Sequence, residues 1–238
     1  MITIAVGVGE NKDILKACNI FKKDKTDVNI KLIENEELLA KNILDKTINA
    51  TIRGSLSASN VLKKLKETYP HISRATYIHG KDFEFLISSV GIDEGNTIDE
   101  KLKIAIYCIN FFKKLNKTPK IATLSYARLG DYGRSTQINK SLEDNKKLTE
   151  LIENYTNQKV ENKCVLIDQA IKNKCNILIA PNGIVGNTIF RTLVLLNSWP
   201  SFGAITFGID KIYIDTSRDQ NVEGYLRSLE LSYKLAKL

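Results

Sequence analysis

Asn176-Ile177-Leu178-Ile179-Ala180-Pro181-Asn182-Gly183-Ile184-Val185-Gly186-Asn187-Thr188 is the stretch that decides the fold. Asn176–Ala180 is short, almost wholly apolar and closed by proline, the pattern of a parallel strand buried on both faces. Asn182 and Gly183 then turn the chain, and the apolar run Ile184–Leu196 is long enough for a helix. A strand that passes through a glycine turn directly into a helix is part of a βαβ unit.

The same succession recurs in both directions. Strands are predicted at Ile2–Val6, Val28–Ile33, Ala50–Ile52, Ala75–Ile78, Ile121–Leu124, Ala204–Phe207 and Ile212–Asp215. Helices are predicted over Lys12–Lys22, Ser57–Thr68, Ile98–Leu115, Gln137–Asn157 and Val222–Lys237. Leu102, Ala105, Ile106, Ile109 and Phe112 share one helical face, as do Val222, Tyr225, Leu226, Leu229 and Tyr233. Strands alternating with helices of this length predict an α/β fold, with mostly parallel sheets and flanking helices.

Composition narrows the function classes. The chain has 238 residues and is 43% hydrophobic and 26% charged, enough to bury a core and unlike a disordered segment. Its four cysteines, Cys18, Cys108, Cys164 and Cys175, are scattered through apolar segments without a C-x-x-C pair. They read as buried free thiols in a reducing compartment. Two histidines, His71 and His79, do not make a metal site. No apolar run approaches the ~18 residues needed to span a bilayer. No basic stretch precedes the first strand, so the expectation is a cytoplasmic protein without a membrane partner. The formal charge of +8 comes from lysines grouped on polar helix faces, with no nucleic-acid motif beside them. It reads as solvated helix surface rather than as a nucleic-acid interface.

In open α/β sheets ligands bind beyond the carboxyl ends of strands, where helix N-termini offer free N–H groups to anions. Four such junctions carry candidate residues. Arg53, Gly54, Ser55 and Ser57 follow Ala50–Ile52; the glycine permits close backbone approach, the arginine suits a bidentate phosphate contact, and Ser57 can cap the next helix. Ser125, Arg128 and Arg134 lie in a long loop after Ile121–Leu124. Asn182, Gly186 and Asn187 follow Asn176–Ala180, and Ser217 and Arg218 follow Ile212–Asp215. At each the alternative is an ordinary capped or glycine-dependent turn, with Ser217 or Asp219 as a helix cap at the last. Together they point to an anionic, phosphorylated small molecule. Several nucleotide and hydrolase signatures are missing: G-x-x-x-x-G-K-[ST], a complete G-x-G-x-x-G and G-x-S-x-G. Gly7-Val8-Gly9 is only a thin version of an S-adenosylmethionine loop.

The run Asn176–Asn187, a following helix and Thr216-Ser217-Arg218 resembles the C-terminal signature of phosphate acetyl/butyryl transferases. Pro119–Ser125 resembles their central strand-and-serine motif, and Arg53-Gly54-Ser55-Leu56-Ser57-Ala58-Ser59 their early glycine turn. That last turn and the chain length look most like the archaeal Mtx subunit X group, a methanogen-marker family labelled methyltransferase-related. The resemblance implies an isocitrate/isopropylmalate dehydrogenase-like fold of two lobes with a cleft between them. Residues 1–80 and 188–238 would form one lobe and 81–187 the other. It also implies a methanogenic source, with Ser217 on a reacting acyl phosphate and Arg218 on its phosphate as the catalytic pair. The family's thiol-activating Asp falls at Gly224, with Glu223 beside it.

The leading expectation is therefore a phosphate acyltransferase-like transferase. The alternative is a non-catalytic ligand-binding or accessory subunit of a methyltransferase system. Coenzyme A and S-adenosylmethionine are the two candidate cofactors, and these residues choose neither. The helix Ile184–Leu196, with Trp199 after it, is a candidate homodimer interface.

Overall fold

The computed structural model describes all 238 residues. The elements in chain order are β1 (Ile2–Gly7), α1 (Asp13–Asp24), β2 (Val28–Ile33), α2 (Glu36–Leu44), β3 (Ala50–Ile52), α3 (Ala58–Thr68), β4 (Ser73–His79), β5 (Glu84–Ser88), α4 (Ile98–Lys114), β6 (Ile121–Leu124), α5 (Thr136–Thr156), β7 (Glu161–Cys164), α6 (Ile167–Lys172), β8 (Ile177–Ile179), α7 (Gly183–Phe190), β9 (Ser201–Phe207), β10 (Tyr213–Asp215) and α8 (Val222–Ala236). They form two compact units. Unit 1 is Met1–Ile72 with Pro200–Leu238, and unit 2 is Ser73–Trp199.

Unit 1 holds its strands in the order β2-β1-β3-β10-β9. The pairs β1/β2, β1/β3 and β3/β10 are parallel, and β9 runs antiparallel to β10. Ala5 pairs with Thr51, and Thr51 with Tyr213, so β1, β3 and β10 end side by side. These strands are apolar because both faces are covered: Ile4, Ala5, Val6, Ile52, Tyr213 and Ile214 are fully buried. α1 packs on α8, and α2 on α3.

Unit 2 has the order β4-β5-β8-β6-β7. β4 and β5 form an antiparallel hairpin, and β5, β8, β6 and β7 are mutually parallel along that order. α4 begins with a capping box: Thr97 accepts from the Glu100 amide, and Glu100 accepts in return from the Thr97 amide. Its buried face, including Ile104, Ala105, Cys108, Ile109 and Phe112, contains much of the predicted stripe.

The unit boundaries fall at 72/73 and 199/200, not at 80/81 and 187/188. β4 pairs with β5 and so belongs to unit 2. Trp199 belongs there too, stacked on Phe83 with ring centroids 4.3 Å apart. The helix expected over Ile184–Leu196 is α7 followed by a π-helical segment, Arg191–Leu196. All four cysteines are free and buried. Burial pushes the Cys18 thiol up to about 12 and that of Cys175 to about 11, so neither is a thiolate at neutral pH. No helix is long and apolar enough to cross a membrane.

Candidate anion-binding site

Three loops meet at the carboxyl ends of β1, β3 and β10 in unit 1. The first two approach at backbone distance. Gly54 has φ +61°, and a Cβ there would lie 1.8 Å from the Gly7 carbonyl oxygen. A Cβ on Gly7 would lie 2.1 Å from the Arg53 carbonyl oxygen. The Ser55 amide donates to the Gly7 carbonyl at 3.2 Å, and the Gly9 amide donates to Ser55 Oγ at 2.8 Å. Gly7 and Gly9 thus serve contact with the β3–α3 turn. They do not form an open glycine loop, which removes the feature that suggested S-adenosylmethionine at this position.

Arg53 ties this turn to the third loop. Its Nε donates to the Asp215 carboxylate, Nη2 to the Thr216 carbonyl, and Nη1 to the Leu56 carbonyl at 2.7 Å. It is only 7% exposed. The sequence suggested a phosphate ligand here, whereas the guanidinium is engaged inside the protein on every nitrogen. Thr216 Oγ1 donates to the Gly54 carbonyl at 2.7 Å and completes the connection.

Ser217 and Arg218 sit on this framework. Ser217 is half-buried and Arg218 exposed. Their backbone is held from two elements. The Tyr225 hydroxyl donates to the carbonyls of Ser217 and Arg218 at 3.2 and 3.1 Å, and Asn11 Nδ2 donates to those of Arg218 and Gln220 at 2.9 and 2.8 Å. Burial pushes the Tyr225 phenol up to about 12, with Arg53 opposing, so it stays a donor throughout the physiological range. Ser217 Oγ accepts from the Asp219 amide at 3.2 Å, which leaves its own O–H able to donate elsewhere. α8 is capped by Asn221, whose side chain accepts from the Gly224 amide at 2.9 Å, and not by Ser217 or Asp219. Ser57 stands at the N-cap of α3 but makes no side-chain capping bond, so this helix end keeps unpaired amides. An uncapped helix start, a free hydroxyl donor and an exposed guanidinium on adjacent loops suit a phosphate.

Gly224 is buried, and a Cβ there would lie 2.1 Å from Gln220 Oε1. A neutral amide therefore covers the position where the resemblance implies a carboxylate. Glu223 and Asp219 are both exposed.

In unit 2 the candidates act on the protein itself. Asn182 caps α7, accepting from the Val185 amide at 3.0 Å and donating to the Tyr126 hydroxyl at 2.6 Å. Asn187 donates to the Val90 carbonyl at 3.0 Å. A Cβ on Gly186 would lie 1.8 Å from the Ser89 carbonyl oxygen, so this glycine lets α7 close on the end of β5. Ser125 is buried and donates to the Ala127 carbonyl at 3.0 Å. Arg128 and Arg134 are exposed, and Arg134 pairs with Asp131 at 3.1 Å. Asn11 and Tyr225 escaped the sequence reading because they act on backbone carbonyls, Asn11 on those of residues distant in sequence. Asn11 lies two residues after Gly9 and Tyr225 in an apolar stripe, and neither position carries a motif.

No family model matches the chain. An uncharacterized methyltransferase of Methanocaldococcus jannaschii is 35% identical over 240 residues, covering 97% of this chain and 96% of the relative. A Methanosarcina barkeri protein named "Putative methyltransferase mtx subunit X" is 34% identical over 215 residues, covering 89% of this chain and 76% of its own. The chain belongs to the Mtx subunit X family. Both of these family relatives come from methanogens. Among solved structures, a branched-chain phosphotransacylase from Enterococcus faecalis V583 matches with a TM-score of 0.75 and 18% identity, covering 99% of both chains. A β-decarboxylating dehydrogenase from Thermococcus kodakarensis matches with a TM-score of 0.59 and 13% identity, covering 98% of this chain and 84% of its own. The Mtx subunit X chain thus has the phosphotransacylase and β-decarboxylating dehydrogenase fold.

Proposed function

We propose that this Mtx subunit X protein is a transferase that binds a phosphorylated small molecule at the carboxyl ends of β3 and β10. Arg218 holds the phosphate, Ser217 donates a hydrogen bond to the reacting group, and the Gly54–Ser57 turn offers the unpaired amides of α3. The observation that carries this reading is the Ser217–Arg218 turn, whose backbone is fixed by Tyr225 and Asn11 while its polar ends stay available. Such a site acts by positioning and electrostatics: donors fixed beforehand need no reorganisation when charge develops on a phosphoryl or carbonyl oxygen. Coenzyme A would bring the acceptor thiol, and its activation falls to a group other than residue 224.

A second reading rests on Gly224. With a neutral Gln220 over that position, the chain keeps the anion site without the carboxylate, as a ligand-binding accessory subunit of a methyltransferase system would. One panel separates the readings: thermal stabilisation by acetyl phosphate, inorganic phosphate, coenzyme A and S-adenosylmethionine, in wild type and Arg218→Ala, followed by an assay of acetyl transfer to coenzyme A. The transferase predicts that acetyl phosphate raises Tm by a few degrees in wild type only, and that transfer is detectable. Acetyl phosphate binding with no transfer supports the accessory reading. A shift with S-adenosylmethionine alone, unchanged in Arg218→Ala, contradicts both roles of the Ser217–Arg218 turn.

A further inference from the structure

The turn between β4 and β5 and the turn between α6 and β8 enclose a cavity of about 330 Å³ in unit 2. It opens at the amino ends of β5 and β8, the opposite edge from the strand carboxyl ends where α/β ligands usually sit. It is far larger than a water needs and reaches the lower end of small-molecule sites. Its walls are of two kinds. Phe83 and Phe85 form an apolar wall that is held in place: Phe83 stacks on Trp199 with ring centroids 4.3 Å apart, and the same indole meets Phe85 edge-on at 6.3 Å. Beside them Asn176 spends its amide on the protein, accepting from the Lys120 amide at 2.7 Å and donating to the Thr118 carbonyl at 2.9 Å. The other wall is cationic. Lys174 Nζ donates to the Asp82 carbonyl at 2.6 Å, so its ammonium bridges the two turns with N–H groups to spare. Lys81 is exposed, and its ammonium has no partner in the chain. Of the two carboxylates in the lining, Glu84 accepts from the Tyr77 hydroxyl and pairs with Lys117, which cancels its charge. Asp82 alone then stands against two ammonium groups.

Lys174 also holds a costly backbone conformation. It follows Asn173, the C-cap of α6, with φ +60°, the left-handed position that glycine usually fills. A use for its ammonium accounts for a lysine there. We propose that this cavity binds a small organic anion, with its carboxylate or phosphate on Lys81 and Lys174 and a compact aromatic or apolar body against Phe83 and Phe85. Charge-assisted hydrogen bonds fix one end of such a ligand and apolar burial the other. The site shares no residue with the Ser217–Arg218 turn, and it stands whether or not Arg218 binds phosphate.

Trp199 is the chain's single tryptophan and touches both rings, so its fluorescence reports on this cavity locally. The test uses the whole chain in an Arg218→Ala background, which silences the first site. The protein is titrated at fixed ionic strength with phenyl phosphate, benzoate, inorganic phosphate and benzyl alcohol. Phenyl phosphate, benzoate or both should change Trp199 emission saturably. Inorganic phosphate lacks the body and benzyl alcohol the charge, so each should bind roughly tenfold more weakly or less. Lys81→Ala with Lys174→Gly should weaken binding of the aromatic anion on the order of tenfold. Tm without ligand should stay near the parent, because Lys81 is exposed and glycine suits the backbone at residue 174. Lys172→Ala removes an exposed lysine that pairs with Asp168 and does not line the cavity, and should leave the affinity unchanged. An equal loss in Lys172→Ala would mean general attraction by charge and overturn the site. So would no saturable change with either aromatic anion, equal binding of inorganic phosphate or benzyl alcohol, or an affinity unaltered in the double variant.

Discussion

Arg53→Met is expected to destabilise the chain by about 3–5 kcal/mol, the usual consequence of removing one partner from a buried ion pair. For a chain of this size that is a fall in Tm on the order of 10 °C. The cause is specific. Arg53 is 7% exposed and Asp215 8%, and the guanidinium also satisfies the carbonyls of Leu56 and Thr216. Methionine fills similar space but leaves the carboxylate without its guanidinium and two carbonyls without their donor. Arg53→Met/Asp215→Asn should recover part of the loss, since the uncompensated charge is then absent. The same variant separates a structural Arg53 from a ligand Arg53. An Arg53→Met protein that kept its stability but no longer responded to phosphate would restore the role read from the sequence.

Gly54→Ala should cost about 3 kcal/mol, measured by urea unfolding. Two effects add. The left-handed φ of +61° costs an alanine roughly 1 kcal/mol, and the methyl would stand 1.8 Å from the Gly7 carbonyl oxygen, so backbone must move. Gly133→Ala is the control. Its φ is +97°, yet no atom lies within 4 Å of the added Cβ, so only the conformational cost of roughly 1 kcal/mol remains. Equal losses in the two variants would mean that the contact between the β1 and β3 loops is not tight. Because that contact sets the β3–α3 turn, Gly54→Ala should also weaken phosphate-dependent stabilisation, and Gly133→Ala should not.

Much of the fold was legible because buried parallel strands are continuous apolar runs. The predicted bounds of β3 and β6 coincide with the observed strands, as do those of β2. β5 was missed although Phe85, Leu86 and Ile87 are almost completely buried: its run follows β4 after a short turn and has no helix between. β7, Glu-Asn-Lys-Cys, is polar because it is the edge strand of its unit, with one neighbour and little burial. α2 begins with Glu36-Glu37 and buries only Leu39, Ala40, Asn42 and Ile43, too short a stripe to stand out beside a strand. The junctions were found by their glycines and hydroxyls, but sequence does not say whether an arginine faces outward or inward. Arg53 and Arg218 follow adjacent strands and look equivalent in the chain. Register places Arg53 beside Asp215, which draws it inside, whereas Arg218 lies beyond the last paired residue and projects outward.

The central claim is that Arg218 holds a phosphate in unit 1. Its most direct test is a calorimetric titration of wild type and Arg218→Ala with acetyl phosphate at fixed ionic strength. Loss of an arginine–phosphate contact corresponds to about 1.5–3 kcal/mol, so the affinity of Arg218→Ala should fall at least tenfold while its melting temperature without ligand stays near wild type. Equal affinity in the two proteins would contradict the account, because the exposed guanidinium on the Tyr225- and Asn11-held turn would then have no part in binding.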